Sequence, residues 1–140
     1  MSESTELATI ATISNAPVGS IVCSIKPDIN DRETSAKIYN AMNNPTHRVA
    51  DYINKHINVV DYLIEVTEII NDESGVASTV PRVVLIDEAG DSYQAVSIGM
   101  ANAVRNLVIA CGDAPWDPPV AIMIKQQATK NGSMLTVEML

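Results

Sequence analysis

Phenylalanine is absent from this chain, and apart from two histidines its only rings are Tyr39, Tyr52, Tyr62, Tyr93 and Trp116. The core must therefore be built from aliphatic side chains. Cysteine is almost as scarce: Cys23 and Cys111 lie far apart, in no metal-ligand or redox spacing, which excludes a disulfide framework and fits a reduced setting with two buried, inert thiols. No run approaches the roughly 20 apolar residues needed to span a bilayer, and MSESTELAT at the start lacks a basic n-region. A cytoplasmic protein is expected. Catalytic signatures are missing too. His47 and His56 stand in no H-x-x-x-H or H-E-x-x-H arrangement, and no glycine-rich phosphate loop occurs. Asp87, Glu88 and Asp91 lack EF-hand spacing and sit where a hairpin needs turn formers. Neither an enzyme nor a bound cofactor or metal is expected.

What is present reads as one domain, mainly β with helices. INVVDYLIEVTEII at 57–70 alternates Val60, Tyr62, Ile64 and Val66 against Val59, Asp61, Leu63 and Glu65, the period of a pleated strand. NDESG at 71–75 turns the chain. Pro81 lacks an amide donor and so precedes a strand, RVVLI at 82–86, and a third follows at 92–97. Ile98, Ala101, Val104 and Val108 then recur at helical spacing, between Ser97 as N-cap and Gly112 as C-cap. Short strands at 120–126 and 133–139 flank Asn131-Gly132, a hairpin signal. This β-β-β-α-β-β order is that of a five-stranded OB-fold-like barrel with its core over 57–139.

The preceding residues predict an extension: a strand near 20–27, a helix over 34–42 stopped before Pro45, and a second short helix within 46–55. Residues 1–19 are expected to form a flexible arm or an added edge strand, and 20–140 a single OB-like domain.

IYNAMNN at 38–44, NVVDYLIEVTEI at 58–69, PRVVLIDEAGDSYQAVSIGMANAVRNL at 81–107 and the closing PPVAIMIKQ with NGSMLTVE resemble bacteriophage single-stranded DNA-binding proteins. The similarity spans about residues 36–138, and VLIDEAGDSYQAVS followed directly by a helix is its most specific part. It implies a non-enzymatic protein that coats exposed strands during phage DNA replication; the acidic remainder of the chain would limit nonspecific sticking or recruit replication proteins, and whether the chain forms a homo-oligomer is left open. It also implies an OB-like fold.

Charge must be reconciled with that implication. The net charge is −8, opposing phosphate binding, yet Pro118 to Val137 holds Lys125 and Lys130 and no acid. OB proteins bind oligonucleotides on the face of strands 2 and 3 and with the 1–2 and 4–5 loops. Arg82, Lys125 and Lys130 are the expected backbone contacts, with Tyr93 and Trp116 as stacking rings; interior packing is the alternative for both rings. The competing reading is an acidic protein-interaction module on the same barrel that docks a partner without touching DNA.

Overall fold

The computed structural model describes residues 10, 13, 16–130 and 132–140. It contains β1 (Ile21–Cys23), α1 (Arg32–Asn43), β2 (His47–Arg48), a 3-10 turn (Val49–Tyr52), β3 (His56–Ile70), β4 (Ala77–Asp87), β5 (Ser92–Val96), α2 (Ile98–Cys111), β6 (Val120–Thr129) and β7 (Gly132–Met139). The strands form one curled, half-barrel sheet in the order β2-β5-β4-β3-β6-β7, with β1 also pairing β3. Among the described residues seven strands are present: five for the expected barrel, and two from the preceding segment. β1 lies in the strand expected near 20–27, whereas the helix expected within 46–55 is instead the two-residue β2 followed by the 3-10 turn.

β3 organises the sheet. One edge pairs with β4 from Val59 to Ile70; the other is shared by β6 at His56–Val59 and β1 at Leu63–Glu65, with Trp116 N donating to Val60 O between them. A register shift between Val59 and Asp61 re-phases the side chains, as an inserted residue does in a strand of period two. Ile57 and Val59 face the core before it, and Tyr62 and Ile64 after it. The expected unbroken row from Val60 to Val66 is corrected accordingly: Val60 is only half-buried.

Both faces of the sheet's centre are covered. Tyr62, Ile64, Val83, Leu85, Ile122 and Ile124 pack with α2 residues Met100, Val104, Leu107 and Val108. On the opposite face Leu63, Val84 and Ile86 pack under Ala41 and Met42 of α1. Asp31 caps α1, accepting from Glu33 N at 3.1 Å and from the Thr34 hydroxyl at 2.7 Å. Ser97 caps α2 by accepting from Met100 N, and Gly112 ends it with φ +82°, a conformation glycine adopts without cost. Gly99 lets α2 approach β7: a Cβ there would run into Leu135 O and the Met134 side chain.

The arm or edge strand expected over 1–19 falls largely outside the described residues. Of it, Ile10 is buried in the main core and Ile13 packs against that core. No described helix is long and apolar enough to cross a membrane.

Candidate nucleic-acid interface

Three of the five residues expected to face a strand are held inside the protein. Arg82 donates from Nε to Glu65 Oε1 at 2.9 Å, from Nη1 to Gln94 Oε1 at 3.3 Å and from Nη2 to Met42 O at 2.6 Å, and its side chain is 13% exposed. It ties the last turn of α1, where carbonyls lack partners within the helix, to the sheet. Tyr93 is 6% exposed and donates its hydroxyl to Asp87 Oδ2 at 2.7 Å. Burial, reinforced by that carboxylate, holds its phenol far above the ordinary tyrosine range. Trp116 is 5% exposed, donates Nε1–H to Gly112 O at 2.9 Å and lies against Tyr62 with ring centroids 5.8 Å apart. As placed, these three side chains serve packing. The face of strand 2 on which Arg82 was expected to meet DNA is covered by α1 at Val84 and Ile86, beside Leu63 of strand 1.

Lys125 and Lys130 remain outward. Ala121, Met123 and Lys125 alternate with buried Val120, Ile122 and Ile124 on β6, as the sequence implied. Lys125 Nζ stands 3.9 Å from Glu138 on β7 with both side chains well exposed, so this pair holds Lys125 only loosely. Lys130 is exposed at the β6–β7 turn, and among the described residues no carboxylate comes within ion-pair distance of it. The adjoining Asn131 of the expected hairpin turn lies outside the described residues.

A ring cluster that sequence reasoning missed lies where β2 and the 3-10 turn bridge β5 to β6. His47 stacks on Tyr93 at 4.9 Å, and Tyr52 meets both rings edge-on at 5.2 and 4.9 Å. Tyr52 and His47 are also linked through the hydroxyl and Nδ1 at 3.2 Å. Tyr52 stays half-exposed, and Lys55 Nζ sits 5.4 Å from its ring centroid, within cation–π range. Parallel pairing of β2 with β5 sets His47 beside Tyr93 and Arg48 beside Gln94. Asn54 N donates to Ile124 O and Ile124 N to Lys55 O, which brings Lys55 within one residue of Lys125. Arg48, Tyr52, Lys55 and Lys125 thus lie along one edge of the molecule. The acids nearby are Asp51, 3.3 Å from Arg48, Asp91, 3.9 Å from His47, and Glu138, 3.9 Å from Lys125. A signal for this cluster existed: five of the ten residues in HRVADYINKH at 47–56 carry a ring or a cation.

Beyond the covered centre of the sheet, two hairpins project. β3 and β4 continue as a two-stranded ribbon from Thr67–Val80 to Ile70–Ala77, while β6 and β7 pair out to Thr129–Gly132. Among the described residues no three His, Cys, Asp or Glu side chains gather as metal ligands would.

Comparison with known families returns one described as phage single-stranded DNA-binding protein, of the phi29 type, matching residues 19–139. No curated protein and no solved structure matches the chain.

Proposed function

The chain belongs to the phi29-type phage single-stranded DNA-binding protein family, and on that footing we propose that it coats and protects single strands exposed during phage DNA replication, in the host cytoplasm. No chemistry is asked of it: coating needs a sequence-tolerant surface that takes phosphate and base faces. We read the β3-β4-β5-α2-β6-β7 portion as an OB-type barrel left open between β5 and β7. The meander β3-β4-β5 and the pairing of β3 with β6 support that reading.

The strand's path on this reading runs along Arg48, Tyr52, Lys55 and Lys125, with Lys130 as its outermost cation. Tyr52 offers the stacking face and the cations take phosphates. The observation that carries this placement is Lys55 poised over the half-exposed Tyr52 ring, one residue from Lys125. Base–aromatic stacking contributes about 1–3 kcal/mol per base and tolerates any sequence, because every base has a π face.

Anisotropy of a labelled oligo-dT tests this directly. About four phosphate contacts predict that log affinity falls with log salt at a slope near −3 for a single strand. Absence of any anisotropy rise at low salt would sink the DNA-binding reading. Retained affinity in a Tyr52→Leu, Lys55→Gln double variant would remove the site while leaving the function.

A further inference from the structure

The two projecting hairpins differ in charge and leave opposite ends of the molecule. β3 is antiparallel to β6 and pairs with it only through His56–Val59. β6 therefore runs back past the start of β3 toward its turn at Thr129–Gly132, while β3 runs the other way to its turn after Ile70. From His56 to Ile70 is up to about 45 Å of strand, and from Met123 to Thr129 about 20 Å more in the opposite sense.

The β3–β4 arm is acidic and apolar. Residues 66–80 contain Glu68, Asp72 and Glu73 and no base. Ile69, Ile70 and Val76 are 47%, 61% and 62% exposed there. The tip is internally fixed: Asn71 Oδ1 accepts from Glu73 N at 2.9 Å and Ser74 N at 3.0 Å, and Val76 N donates to the Ser74 hydroxyl. An ordered arm presenting three exposed branched residues beside three carboxylates has the make-up of a contact surface. The β6–β7 arm is its complement, carrying exposed Lys130 and Met134 in a stretch free of acids.

We propose that copies of this chain associate head to tail, the acidic β3–β4 arm of one protomer seating against the β6–β7 arm of the next. A contact between two different patches on opposite ends is heterologous, and unless its rotation closes a ring it propagates as an open line. Such a line suits a strand-coating protein, yet the contact itself does not depend on the DNA reading. Lys130 would exchange a phosphate for a neighbour's carboxylate where copies meet. Carboxylates on Lys130 supply the orientation, and Ile69 and Val76, which share one face of the arm, supply the apolar contact with Met134.

Directional cross-linking without DNA provides the test. In a chain with Cys23→Ser and Cys111→Ser, one preparation carries Ala77→Cys and another Thr129→Cys, exposed uncharged positions that leave Lys130 and the three carboxylates in place, each checked for folding by circular dichroism. A short bismaleimide should couple the mixture several-fold more than either preparation alone. Coupling should fall as salt is raised, since the screening length shrinks from about 10 Å at 0.1 M to about 3 Å at 1 M. Adding Glu68→Gln and Glu73→Gln to the Ala77→Cys chain should lower it likewise. Mixed coupling no greater than that of the separate preparations overturns the proposal, as does coupling indifferent to both salt and those two substitutions. Oligo-dT binding by the wild-type chain is measured separately, so failure of the DNA reading and failure of this contact give different results.

Discussion

Arg82 and Glu65 form a partly buried ion pair across β3 and β4, Nε to Oε1 at 2.9 Å, and the same guanidinium reaches Met42 O at the end of α1. Arg82→Met leaves Glu65 without its cation and a helix carbonyl without a donor. The expected cost is about 2 kcal/mol, read as a lower midpoint in denaturant, while oligo-dT affinity of the folded variant stays unchanged. A variant of wild-type stability with weakened DNA binding would return Arg82 to the interface.

Tyr52→Leu keeps apolar bulk and removes the π face beneath Lys55. Affinity for oligo-dT should drop about tenfold, the lower part of what one stacked base contributes, with the salt slope unaltered. Lys55→Gln should instead make the slope shallower by about 0.7. Equilibrium anisotropy across a salt series separates the two effects.

Trp116 lies inside, donating to Gly112 O. Its emission should be blue-shifted, poorly quenched by acrylamide and unaffected by oligo-dT even while anisotropy reports binding. Strong quenching by the oligonucleotide would place a base against this ring.

Asp61 is half-buried, accepts the Ser24 hydroxyl at 2.8 Å, and is raised above the ordinary value of 3.8 because burial outweighs that bond and the attraction of Lys37. A carboxyl raised on folding contributes stability while protonated, below its unfolded value, and loses it as pH rises through the folded value. Asp61→Asn keeps an acceptor for Ser24 without the charge. It should therefore be more stable than wild type at neutral pH, the gap closing as pH falls through the raised folded value toward the ordinary 3.8. Thermal melts of both proteins across that range check the sign.

Gly99→Ala drives a methyl into a backbone oxygen of β7, which cannot swing aside as a side chain can. Overpacking of this kind costs about 1–3 kcal/mol. The melting temperature should fall, and Gly99→Ser should be no milder.

Local signals accounted for most regular elements, though β4 starts at Ala77 and runs through Pro81, which was expected to precede it. The α2 helix begins and ends at its expected caps, because Ser97 and Gly112 act on their own neighbours. The long strand from 57 came through for a similar reason, since its alternation is written in adjacent residues. Contacts that depend on register were not legible. Glu65 meets Arg82 only once β3 and β4 are aligned, so Arg82 read as a loose cation. β2 is two residues long and owes its existence to the edge of β5, with no periodicity of its own. The α1 helix read correctly as a helix, but nothing local shows that Ala41 and Met42 lie over Val84 and Ile86. That cover moves the proposed DNA path from the middle strands to the Tyr52–Lys55 edge.

The divided edge of β3 also fixes an order of assembly during synthesis. Its partners come from residues 21–23, 77–87 and 120–123, so a nascent chain can form the β3–β4 hairpin and add β1 long before it can seal His56–Val59. Until Met123 has left the ribosome, four backbone positions of the central strand stay open. Non-local closure of this sort is slower than local pairing, so the β6 edge is the last of the three to which β3 can be joined.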